Sequence, residues 1–183
     1  MIQYKKYYMP STKEELLKTI DTIDCTYDIL AGGTDLYAKE KTSFNGADAA
    51  IDISGIKEFS VIELKKDEGL ITFGSNICIQ QFLEEKVLME NVPILRHAAI
   101  YFADQQIREM ATVGGNVANS SPSGDTIAPL TVLEAVIHTI TSKDNKICEK
   151  ETPITEFITG VGKNLLEKGE VISSITCPVL KEY

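Results

Sequence analysis

Ala111–Asp125, ATVGGNVANSSPSGD, is the stretch whose reading decides the rest of the chain. It holds three glycines, two asparagines and four hydroxyl residues in fifteen positions, with no basic residue. Glycine without a Cβ lets the backbone come close to another group, and small amides and hydroxyls add hydrogen bonds without bulk. The composition is poor for a helix or a regular strand, so the expectation is a long polar loop. An ordered Ω-loop and a binding loop both fit it. Asp125, ahead of an apolar run, reads most simply as an N-cap, and alternatively as an acceptor for sugar hydroxyls.

A second segment of the same character, Ile29-Leu30-Ala31-Gly32-Gly33-Thr34-Asp35-Leu36, lies upstream. Tyr27 to Ala31 reads as a short buried strand and Leu36 to Lys41 as a helix. Strand, glycine turn and helix together aim backbone N–H groups at an anion. The alternative is a tight turn that needs positive φ. Gly32-Gly33 is not a GxGxxG fingerprint, and no GxxxxGK[ST] loop is present. Two such segments are expected to converge on one polyanionic ligand.

Working outward, Ser11-Thr12-Lys13-Glu14 reads as a capping box before a helix over residues 12–23. Ala49 to Ile53 is the next strand. Val61 to Leu64 and Leu70 to Phe73 form a hairpin about Lys65-Lys66-Asp67-Glu68-Gly69. Ile79 to Met89, Pro93 to Phe102 and Gln105 to Met110 read as helices, and Ala128 to Leu133 as a short one. Ala135 to Thr141 is a strand, Lys143 to Lys146 a turn, and Glu170 to Cys177 a last strand. The pattern predicts an α+β fold with a small β-α-β lobe and a larger mixed or antiparallel lobe carrying helices.

The 183 residues are 43% apolar with a net charge of −9. Such a chain buries enough surface to fold without disulfide or metal. Acidity argues against a nucleic-acid partner. No apolar run approaches the ~20 residues of a membrane span, and no signal peptide is visible, so a cytoplasmic protein with no membrane contact is expected. Cys25, Cys78, Cys148 and Cys177 are scattered, without metal-ligand spacing. His97 and His138 stand alone and read as structural. Ser120, Ser121 and Ser123 have no histidine nearby, so no nucleophile–base pair is evident and no catalytic residue is assigned. Any chemistry must be carried by a cofactor.

AGGTDL at 31–36, TVGGNVANSSPSGD at 112–125 with Phe102-Ala103 and Ile107-Arg108 before it, and GEVISSITCP at 169–178 together resemble the FAD-binding (medium) subunit of molybdenum hydroxylases, the flavoprotein of the xanthine dehydrogenase and carbon monoxide dehydrogenase family. The resemblance implies a two-lobed FAD-binding fold, residues 1–55 and 56–183, with FAD in the cleft between the lobes. It assigns Ile29 to Leu36 to the pyrophosphate, with Gly114, Gly115 and Asn116 as the second half of the cradle beside Ala111. Thr112, Asn119, Ser121 and Asp125 would bond phosphate, ribose or ribityl groups, Asp125 on the adenosine side. Phe102, Ala103, Val171 and Ile172 would line the cofactor. The function implied is electron relay from [2Fe–2S] clusters through FAD to NAD⁺ or another acceptor, in a complex with a molybdopterin-binding large subunit and a [2Fe–2S] small subunit. Family members continue into a further α/β domain, which is expected to be missing from a chain ending at Tyr183. The alternative is an assembly module that keeps the fold without stable FAD.

Overall fold

The computed structural model describes residues 4–40, 46–143 and 146–179. The chain opens with β1 (Lys6–Tyr8), α1 (Lys13–Thr22), β2 (Tyr27–Leu30), α2 (Thr34–Glu40) and β3 (Ala49–Asp52). The three strands are parallel in the order β1-β3-β2, with Ala49 opposite both Lys6 and Tyr27. Central β3 carries Ala49, Ala50 and Ile51 fully buried, the continuous apolar run that a covered parallel strand requires. Strand β1 has no counterpart in the sequence expectation, because three residues are too few to show alternation.

The start of α1 differs by one residue from the expected box. Thr12 is the cap, its hydroxyl accepting from Glu15 N, while the Glu15 carboxylate accepts from Ser11 N and Oγ. Ser11-x-x-Glu14 and Thr12-x-x-Glu15 both match the pattern, and burial of Leu16 and Leu17 selects the second frame. Helix α2 begins two residues before the expected Leu36. Its expected end at Lys41 lies outside the described residues, as do Asp144 and Asn145 of the expected turn and residues 1–3 and 180–183 of the expected lobes.

After a 3-10 turn at Lys57–Ser60 come β4 (Ile62–Lys65) and β5 (Leu70–Gly74), the expected hairpin. Helices α3 (Gln81–Glu84), α4 (Lys86–Asn91), α5 (Pro93–Tyr101), α6 (Gln105–Met110), α7 (Val113–Asn119) and α8 (Ile127–Val132) follow. The chain returns through β6 (Val136–Lys143), β7 (Lys146–Pro153), α9 (Ile154–Phe157), β8 (Ile158–Gly160), β9 (Lys163–Asn164) and β10 (Val171–Pro178). Five of these strands make an antiparallel sheet in the order β4-β5-β10-β6-β7. The fold is α+β, as the pattern implies.

Three expectations are corrected. The single helix over Ile79 to Met89 is two helices, because Glu85 takes an extended conformation (φ −78°, ψ 111°) between them. The polar stretch Ala111–Asp125 is not a loop throughout: α7 occupies Val113–Asn119, capped by the Thr112 hydroxyl and closed by Ser120 in the left-handed region. Asp125 is not the cap of α8. Thr126 holds that position, and its hydroxyl donates to Asn116 Oδ1 at 2.6 Å instead.

The helical insertion buries its apolar residues on the five-stranded sheet, with Phe73 and Phe82 in edge-to-face contact at 5.4 Å. A second core joins the two sheets. It contains Leu16, Leu17, Ile51, Ile53, Ile56 and Phe59, together with Ile140 from β6 and Val171 from β10. No helix among the described residues is long and apolar enough to cross a membrane.

Candidate functional site

One wall of the site forms where β2 runs into α2. Leu30 is buried beneath the turn, and Gly33 takes φ +71°, open to glycine at no steric cost. A Cβ on Gly32 would stand 1.7 Å from the Met110 carbonyl oxygen, so this glycine lets the turn rest on the C-terminal end of α6. Gly32 therefore joins the two glycine segments. The N–H groups of Gly32, Gly33, Thr34 and Asp35 donate to no acceptor among the described residues. Unpaired backbone donors in a row are strong hydrogen-bonding groups awaiting a partner.

The opposite wall is α7. Gly114 packs on Ser75, where a Cβ would meet the serine Cβ at 2.5 Å. The first-turn N–H groups of α7 are all engaged: Val113 with Ile77 O, Gly114 with Ser75 O, Gly115 with Thr112 Oγ1 and Asn116 with Thr112 O. This wall thus offers side chains rather than backbone donors. Asn116 Oδ1 accepts from Thr126, which leaves its amide N–H groups without an acceptor among the described residues.

Ser75 and Asn76, just beyond β5, lie between the walls. Ser75 Oγ and Asn76 Oδ1 are buried without a hydrogen-bond partner among the described residues. Native structures rarely leave such atoms orphaned unless a ligand or water completes them. The remaining side is apolar. Phe102 contributes from the end of α5, Leu166 from the segment after β9, and Val171 and Ile172 from the start of β10, whose register shifts between Ile172 and Ser174. Glu170 also faces the cleft, its carboxylate accepting from the Thr139 hydroxyl and from Glu167 N at 2.9 Å.

The cleft between these walls has a volume of about 260 Å³, near the lower end of the roughly 300–1,000 Å³ common for ligand pockets. Among the described residues no lysine, arginine or histidine lines it, so an anion there would meet amides rather than cations from those residues. Of the residues expected from the sequence, Leu30, Ala103, Ser121 and Asp125 do not line the cleft; the others do. Ser121 instead shares a hydrogen bond with Ser123 at 2.9 Å, and Asp125 is exposed. Ile53, Ser75, Asn76, Ala118, Leu166 and Glu170 line it without having been singled out. The small polar triplet Gly74-Ser75-Asn76 after a strand is the signal that could have found two of them. His97 stacks edge-on against Tyr101, and His138 bonds Thr176 at 2.7 Å; neither lines the cleft.

The family model described as the FAD-binding domain in molybdopterin dehydrogenase matches residues 2–180. The chain belongs to that family. Similar proteins include the nicotinate dehydrogenase FAD-subunit of Eubacterium barkeri, 28% identical over 93% of this chain and 57% of its own length. The putative xanthine dehydrogenase FAD-binding subunit of Escherichia coli is 31% identical over 82% of this chain and 50% of its own length. Among solved structures, the carbon monoxide dehydrogenase of Hydrogenophaga pseudoflava matches with a TM-score of 0.89 at 26% identity, covering 99% of this chain and 61% of that one. This FAD-binding-family chain therefore spans about half to three-fifths of the length of the relatives it matches.

Proposed function

We propose that the cleft holds FAD and that the chain is the flavin-carrying part of a molybdopterin-dependent dehydrogenase. The observation that carries this reading is that four N–H groups, Gly32 to Asp35, and the buried oxygens of Ser75 and Asn76, none with a partner among the described residues, border a single cleft. A dinucleotide has the complementary chemistry: pyrophosphate oxygens accept from amides, and sugar hydroxyls and ring N–H groups donate to buried oxygens. In this reading the pyrophosphate lies against Gly32–Asp35 with Thr34 beside it. Thr112, Asn116 and Asn119 bond phosphate or sugar oxygens, while Ser121 and Asp125, which do not line the cleft, take no part in this reading. Phe102, Leu166, Val171 and Ile172 keep water from the flavin.

FAD, when bound, supplies a carrier that takes up electrons and hands them on. This chain's residues would bind and orient it; the electrons would come from [2Fe–2S] clusters on a small subunit, a molybdopterin-binding large subunit would oxidise the substrate, and NAD⁺ or another carrier would be the acceptor. The naming of relatives as FAD subunits of dehydrogenases supports the flavin-carrying part of this arrangement. Four free cysteines fit a reducing cytoplasm.

Titration of the purified chain with FAD tests the proposal through flavin fluorescence. The expected result is saturable one-to-one binding, weakened about tenfold or more in Asn116→Leu, since a lost charge-assisted bond is worth roughly 1.5–3 kcal/mol. Absence of saturable binding would leave the chain as an assembly module.

A further inference from the structure

Arg108 does not line the cleft, yet its hydrogen bonds converge on a residue that does. Its Nε donates to Gln80 Oε1 at 2.9 Å, and its Nη1 donates to the carbonyls of Phe102 at 3.0 Å and Ala103 at 3.2 Å. Gln80 N in turn donates to Arg108 O at 3.0 Å, so arginine and glutamine hold each other at both main chain and side chain. The turn they grip is strained: Ala103 stands at φ +35°, a conformation uncommon for a residue with a Cβ. Phe102, immediately before it, is 8% exposed and forms part of the cleft wall.

We infer that Arg108 is a positioning residue that sets Phe102 against the flavin, an assignment that rests on the cleft being the FAD site. Among the described residues no carboxylate lies within ion-pair distance of its guanidinium. The cation is directed at adjacent carbonyls rather than at a surface partner. Only a planar fork with several fixed donors reaches two consecutive carbonyls and a side-chain oxygen together; a lysine ammonium is a single flexible point charge. Strained backbone persists where the surroundings over-determine it, and here the arginine supplies the constraint. Released from it, the turn relaxes from its positive φ and the Phe102 ring leaves its place in the wall.

A double-mutant cycle on FAD affinity tests the assignment, with Arg108→Lys, Phe102→Ala and both together in the full chain. The expected result is that Arg108→Lys weakens FAD about tenfold and changes the visible circular dichroism of the bound flavin. In the Phe102→Ala background the same substitution should have no further effect, because coupled residues are not additive. If Arg108→Lys does not fold, Gln80→Met loosens the same grip and should shift affinity and spectrum in the same direction. Penalties that multiply independently, or affinities equal to wild type in the folded variants, overturn the assignment. A wild-type chain that binds no FAD overturns the cofactor reading and this one together, whereas normal binding with an uncoupled Arg108 overturns this one alone.

Discussion

At Ser75 every backbone polar group is used and the side chain is not. Its N–H donates to Ser173 O and its carbonyl accepts from Gly114 N, while Oγ is buried without a partner among the described residues. An unsatisfied buried hydroxyl costs roughly 1–3 kcal/mol. Ser75→Ala is therefore expected to leave the FAD-free chain as stable as wild type, or stabler by about 1 kcal/mol, while weakening FAD several-fold. Urea denaturation and a flavin titration read the two effects separately, and a loss of stability without a loss of affinity would contradict the role. Gly32 shows why residue roles were only partly legible. Its spacing marked a turn or a ligand approach, but the group it makes room for is Met110 O, nearly eighty residues away in sequence. No local pattern carries that contact. Ser75 itself is hidden for the same reason: its neighbours Gly114 and Ser173 come from distant elements.

Among the elements, α7 departs furthest from its composition. Two glycines in a first turn disfavour a helix by about 1 kcal/mol each relative to alanine. The helix forms because the Thr112 hydroxyl caps Gly115 N and because the absent side chain of Gly114 lets the backbone lie on Ser75. Thr112→Ala is expected to cost about 1 kcal/mol of unfolding free energy, the usual worth of an N-cap, and to weaken FAD as well. Denaturation of the FAD-free variant checks the first part, and an unchanged midpoint would mean that packing on Ser75 alone holds the helix. Elements with strong periodicity or turn chemistry, such as α1, the β4–β5 hairpin and β10, were readable from the sequence. Those defined by tertiary context were not: three-residue β1 exists because β3 lies beside it, and the break at Glu85 leaves no glycine or proline as a marker.

For the whole molecule, the five-stranded sheet holds the clearest link between burial and pH. Cys177 on β10 is fully buried, and desolvation pushes its thiol up from 9.0 to about 12. The folded chain thus keeps a proton that the unfolded chain releases above pH 9. That stability is intact below pH 9 and is lost as pH rises from there toward 12, on the order of 1 kcal/mol per pH unit at most. Cys177→Val should show a shallower alkaline decline than wild type when denaturation midpoints are compared at pH 8 and pH 10.5; parallel declines would assign the loss to other groups.

The core that Ile140 and Val171 share with the small parallel sheet reaches beyond packing. Swinging the two sheets apart would expose both side chains, at roughly 1.5–3 kcal/mol each. Fewer than about one molecule in a hundred would then be splayed at any instant. On that figure nearly the whole population would hold the cleft in one shape, and binding there would not be weakened by a prior closing equilibrium.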